Sequence, residues 1–168
     1  MRWTVKTSAT LPSPTSKIYT TTCHKIAGWA EPNPTIVIGD TRFGRERSWY
    51  TLTGRVTLWK IEDDGDIHIQ LQDPNSPTSS VNVVVEVPAG ENFCTVRTNA
   101  FALVNPPHFP ISDGKRTLLR TNAVIRVTGR AFWDAPHAVG QHDPNRRHYN
   151  ANMTIWEIHP VVDLQIIQ

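Results

Sequence analysis

The amino-acid sequence predicts an all-β protein with one helix: a small OB-like β-barrel over residues 48–168, preceded by an irregular N-terminal arm over residues 1–47. Three observations carry this reading. Residues 51–60 and 66–73 alternate apolar and polar side chains on either side of the break Glu62-Asp63-Asp64-Gly65, which is the pattern of a hairpin with one face buried. The apolar periods then order the chain as three strands, a helix and two strands, with long loops at two corners. Finally, Gly54 and Gly129 each fall inside a strand, where a small sheet bends to close on itself. A β-sandwich satisfies the same alternation, because periodicity does not count sheets.

Taken in order, residues 1–47 are rich in Thr, Ser and Pro and show little period apart from the apolar run 35–38, a short strand at most. The first barrel strand, 49–61, is expected to bury Leu52, Val56 and Leu58. The second, 66–72, buries Ile67, Ile69 and Leu71 and turns Asp66, His68 and Gln70 outward. Residues 73–77 are a turn by composition. The third strand, 81–87, sets Val81, Val83, Val85 and Val87 against Asn82, Val84 and Glu86, and Pro88 stops it. Phe93, Val96, Phe101 and Val104 are spaced for the only helix, within 91–104. A proline-rich loop over 106–114 leads to a fourth strand at 123–133, with Ile125, Val127 and Ala131 opposite Arg126, Thr128 and Arg130. The fifth strand covers 153–167. The 13 prolines and 9 glycines in 168 residues suit many turns better than long helices.

The net charge of +2 is too small to argue for a polyanionic partner, so any such case rests on local clusters. Arg42, Arg45 and Arg47 precede the first barrel strand, and Arg116, Arg126 and Arg130 run up to and along the fourth. No stretch reaches the roughly 20 apolar residues that cross a bilayer, which points away from a membrane-spanning helix. The start of the chain lacks the apolar core of a signal peptide, and the compartment stays open where a leader has been removed. Cys23 and Cys94 cannot make a four-cysteine metal site; a disulfide and two free thiols both fit.

Imidazole and carboxylate recur at strand spacing. Asp66 and His68 share one face of the second strand, Glu157 and His159 one face of the fifth, and Glu86 on the third joins them if the three strands share a face. Such groups converging from separate strands are what a divalent metal binds, with Asp66, His68, Glu157 and His159 as ligands. Two functions follow. The first is a non-enzymatic OB-like binding module for an anionic ligand such as single-stranded nucleic acid, held by Arg42, Arg45, Arg47, Arg116, Arg126 and Arg130. The outward positions of the second and third strands carry no aromatic side chain, which counts against the usual stacking platform of such barrels. The alternative is a metal-dependent hydrolase of the phosphodiesterase or nuclease kind, with His137 as the acid or base and Arg130 clamping the anion.

The opening Arg2-Trp3-Thr4-Val5-Lys6-Thr7, the central Asp63-Asp64-Gly65-Asp66-Ile67-His68, the segment Glu86-Val87-Pro88 followed by Cys94, Phe132-Trp133-Asp134 with His137, and Trp156-Glu157-Ile158-His159-Pro160-Val161 together resemble a family of uncharacterised bacterial proteins. The resemblance implies that Asp66-x-His68, Glu157-x-His159 and His137 belong to one recurring pattern. It implies no activity.

Overall fold

The computed structural model describes residues 2–32, 41–76, 81–104, 123–134 and 154–168. Six strands are present among them: β1 (Ile18–Thr21), β2 (Trp49–Ile61), β3 (Ile67–Gln72), β4 (Val83–Val87), β5 (Val124–Trp133) and β6 (Trp156–Ile166). They follow the order β1-β2-β3-β4-β6-β5, and β5 returns to pair with β2. The five later strands therefore form one closed barrel, which rules out the sandwich. Inside the barrel β4 and β6 run parallel, and the other described neighbours run antiparallel. This is the order of an OB-type barrel.

Closure depends on β2 serving two neighbours. Trp49 to Arg55 pair with β5, and Arg55 to Ile61 pair with β3. Gly54 sits at that handover. A Cβ there would lie 2.8 Å from the Leu71 Cβ, so the strand can cross β3 this closely only without a side chain. Gly129 is tighter still, because a Cβ would meet the Pro160 carbonyl oxygen at 2.4 Å where the β5–β6 register shifts. The β2–β3 turn also forms as its composition predicts: Gly65 has φ +86°, and the Glu62 and Asp66 backbones bond across it at 2.9 Å.

The barrel interior is filled by Leu52, Ile67, Ile69, Leu71, Val83, Val85, Val87, Ile125, Val127, Ile158 and Leu164. One expected core residue moves. The register shifts between Val56 and Leu58, so the inward phase of β2 changes; Leu58 is partly exposed and Trp59 is buried instead. Its indole Nε1 donates to the Ala100 carbonyl at 3.1 Å, which joins the barrel wall to α3 (Cys94–Phe101). The predicted helix thus begins with a 3₁₀ turn at Glu91–Phe93 and is shorter than its apolar spacing suggests. It is not the only one.

The arm contributes α1 (Trp3–Lys6), β1 and α2 (Cys23–Ala27). Strand β1 lies parallel along Trp49 to Leu52 at the start of β2, a pairing that the polar Thr-rich sequence does not announce. The Thr22 side chain caps α2 by accepting from the Lys25 amide at 3.2 Å, and the Asp73 carboxylate takes the Cys23 and His24 amides at 2.8 and 3.0 Å. Arg2 is held more firmly. Its guanidinium makes two 2.6 Å contacts with the two carboxylate oxygens of Glu46 and stands over the rings of Phe43 and Phe132. Glu46, fully buried, also accepts the Trp133 amide at 2.9 Å. The expected short strand at 35–38 and the loop at 106–114 lie outside the described residues, apart from which Cys23 is buried, Cys94 exposed, and both are free thiols.

Candidate functional site

Two places concentrate functional chemistry. The first is on the outer side of β3, β4 and β6, where alternation puts Asp66 just ahead of β3, His68 on it, Glu86 on β4, and Glu157 and His159 on β6. Cross-strand pairing sets His68 directly opposite Glu86. His68 Nδ1 lies 2.9 Å from Glu86 Oε1 and 3.3 Å from Glu62 Oε1. His159 Nδ1 is 3.0 Å from Glu86 Oε2 and 3.7 Å from Glu157 Oε2, and its Nε2 is 3.4 Å from Asp66 Oδ2. Asp66 Oδ1 accepts the Ala89 amide at 2.8 Å.

The sequence reading has these side chains facing solvent; the structure buries them. Asp66, His68, Glu86, Glu157 and His159 are between 0 and 5% exposed. The outer face is covered because α1 lies against β6 and extends Lys6 to 3.8 Å from Glu86 Oε2, while the Phe132 ring packs 5.5 Å from the His159 ring. Alternation reports which face a residue takes, and says nothing of what a distant arm lays over that face.

Burial makes the charges interdependent. Loss of solvent works against the charge on Glu86, yet the charge of His159 and the close contacts with both imidazoles outweigh it and hold the carboxyl well below its usual range. His159 responds in the opposite sense: burial disfavours the imidazolium, but Glu86, Asp66 and Glu157 hold it well above its usual value. Glu157 is pushed up to about 8, first by burial and then by the charges of Glu86 and Asp134, with His159 acting against them. One carboxylate is therefore kept ionised beside another kept neutral.

The second place is a cleft of about 600 Å³ between β1, α2 and the 3₁₀ turn Gly44–Arg47. Tyr19, Trp29 and Tyr50 supply its aromatic surface and Lys25 and Arg45 its cationic one; Thr20, Thr21, Gly44 and Ser48 complete it, without a carboxylate among them. The Tyr50 ring lies 5.9 Å from Tyr19 and 4.9 Å from Trp29, and Trp29 meets Trp156 edge-on at 5.6 Å. The Arg45 guanidinium stands 4.9 Å over Trp29 and the Lys17 ammonium 4.7 Å over Tyr19.

No family model and no curated protein matches the chain. Among solved structures, asparaginyl-tRNA synthetase of Entamoeba histolytica in complex with asparaginyl-adenylate is similar over 91% of this chain, at 14% identity and a TM-score of 0.48. A second structure of that synthetase is similar over 92%, at 14% identity and a TM-score of 0.45. This chain spans 24% of each of those synthetase chains.

The arginines expected to bind an anion do not share one surface. Arg42 is committed internally, donating to the Val5 carbonyl at 2.7 Å and the Ala131 carbonyl at 3.2 Å, so it braces α1 against β5. Arg45 lines the cleft. Arg47 is exposed, and Arg130 stacks 4.2 Å over Trp49 while donating to the Arg47 carbonyl at 2.7 Å, so these two stand side by side on the outer surface of β2 and β5. Arg126 is exposed one β-repeat further along β5 from Thr128, opposite Thr53. Arg116 and His137 lie outside the described residues. Sequence reasoning missed Tyr19, Lys25 and Trp29 because they come from an arm with no legible period; the nearest signal was the aromatic Tyr19 between Lys17 and Lys25.

Proposed function

We propose that this protein is a non-enzymatic binding module that takes single-stranded nucleic acid in the cleft beside β1. The observation that carries the reading is the cleft's lining: three aromatic rings and two cations, with no carboxylate among the described residues that line it. Stacking of a base on such a ring contributes about 1–3 kcal/mol and tolerates any base, and cations at the rim meet the backbone phosphates. Arg47, at the end of the same turn as Arg45, and Arg130, which donates to the Arg47 carbonyl, add positive charge near that turn. The cleft takes the place of the aromatic platform that the outer faces of β3 and β4 lack.

The hydrolytic alternative has less support. A phosphodiester must reach a metal-bound water, and the acid and histidine side chains are at most 5% exposed. Fluorescence anisotropy with a labelled oligothymidylate at low salt tests the binding reading. Binding is expected to weaken steeply as salt rises, and to fall about tenfold or more in Lys25→Ala/Arg45→Ala, in line with loss of phosphate contacts. Undetectable or salt-insensitive binding overturns the reading, and undiminished binding by the double variant removes it from this cleft.

A further inference from the structure

We propose that Asp66, Glu86 and His159 form a buried site for a divalent first-row transition-metal ion, a reading independent of the nucleic-acid cleft. The three side chains come from the turn before β3, from β4 and from β6. Each can offer one ligand atom such that all three atoms lie within 4.8 Å of one another. Ligand atoms about 2.0–2.2 Å from a common centre stand at most about 4.4 Å apart, so the three need draw in only slightly to share one ion.

A second observation points to an ion rather than to an ordinary polar network. Both ring nitrogens of His159 and the Oδ2 of Asp66 are buried without a hydrogen-bond partner. Carboxylate oxygens are near enough, at 3.0 and 3.4 Å, but are not aligned to receive a proton. Leaving a buried donor or acceptor unpaired costs about 1–3 kcal/mol, and here three such atoms sit together. Nε2 of His159 and Oδ2 of Asp66, 3.4 Å apart, can turn to one shared ion that displaces the Nε2 proton, while Nδ1, on the other side of the ring, keeps its own.

The surroundings fit a held ion. The other oxygen of Glu86 faces His68 at 2.9 Å, which orients the carboxylate. Glu157 Oε2, 3.7 Å from His159 Nδ1, can hold the imidazole nitrogen that does not ligate, as outer carboxylates do for metal-bound histidines. The donor set of two carboxylates and an imidazole favours zinc, manganese or iron over calcium, which takes oxygen ligands. The cation facing the cluster from α1 is Lys6, 3.8 Å from Glu86 Oε2, and an incoming ion must share that carboxylate with it. With all three ligands 0 to 5% exposed, the ion would join β3, β4 and β6 and would not meet a substrate.

The test uses the full chain, stripped with chelator, dialysed and then titrated with Zn²⁺ or Co²⁺. Near-stoichiometric zinc by elemental mass spectrometry, a rise in the thermal midpoint on adding Zn²⁺, and visible Co²⁺ absorption are expected. Asp66→Asn and His159→Asn should lose the ion, whereas Lys6→Gln should keep it and bind several-fold more tightly. If the ligand variants do not fold by circular dichroism, the Co²⁺ spectrum of the unsubstituted chain and the Lys6→Gln titration decide the matter. No bound metal and no thermal shift in the unsubstituted chain overturns the proposal. So does equal binding by the folded ligand variants, or weaker binding by Lys6→Gln.

Discussion

Glu157 shows how a single side chain records its environment. Buried on β6 beside Glu86 and Asp134, its carboxyl is pushed up to about 8, so the native chain holds a proton there that the unfolded chain releases near 4.5. Below that lower value both states are protonated and nothing is lost. Through the window from 4.5 to about 8 the native state binds more protons than the unfolded state, so the stability from this group declines as pH rises. His159, held well above 6.5, adds to the decline at higher pH, and Glu86, held well below 4.5, acts only under acid. In chelator-treated protein the thermal midpoint should therefore fall from mildly acidic to mildly alkaline pH. Glu157→Gln, neutral throughout, should flatten the decline between 4.5 and about 8; identical slopes in the two proteins would contradict a neutral Glu157 in the native state.

The two strand glycines place a constraint on whole elements. At Gly129 an added Cβ would meet the Pro160 carbonyl oxygen at 2.4 Å, and at Gly54 it would meet the Leu71 Cβ at 2.8 Å and the Gln72 carbonyl oxygen at 3.1 Å. A Cβ moves only with its backbone, and backbone joined into a closed sheet cannot easily retreat, so the closer approach should cost more. Gly129→Ala should accordingly lower stability by about 3 kcal/mol or more, and Gly54→Ala by less, as read from urea midpoints; a reversed ranking would mean that the β5–β6 crossing relaxes easily. These elements also show where sequence was informative. Alternation located β2 to β6 because period two is a local property. The bulge after Val56 was not legible, since it adds one residue whose effect appears only against the partner strand. Glu46 was equally hidden: nothing near it in the chain marks a carboxylate that answers to Arg2, 44 residues away. Asp66, His68, Glu86, Glu157 and His159 were legible as sharing one face, whereas their burial depends on the arm.

At the scale of the molecule, a buried ion pair closes the arm on itself, Arg2 against Glu46, and Glu46 carries that closure to β5 through the Trp133 amide. Arg2→Met leaves Glu46 buried with a charge and no guanidinium, which should cost about 3–5 kcal/mol, while Arg2→Met/Glu46→Leu should recover much of it by replacing the pair with apolar packing. Urea unfolding of both variants checks this; equal loss in the two would mean that the pair itself, rather than the stranded charge, matters. The pair has a further consequence for its sequence neighbour. Arg45 adjoins the fully buried Glu46, whose carboxylate is fixed by Arg2 and the Trp133 amide, so the backbone that presents Arg45 over Trp29 is already set before any guest arrives. A guest entering the cleft meets a wall whose ordering entropy was spent during folding, and its association should carry little of the conformational penalty that a mobile loop would impose.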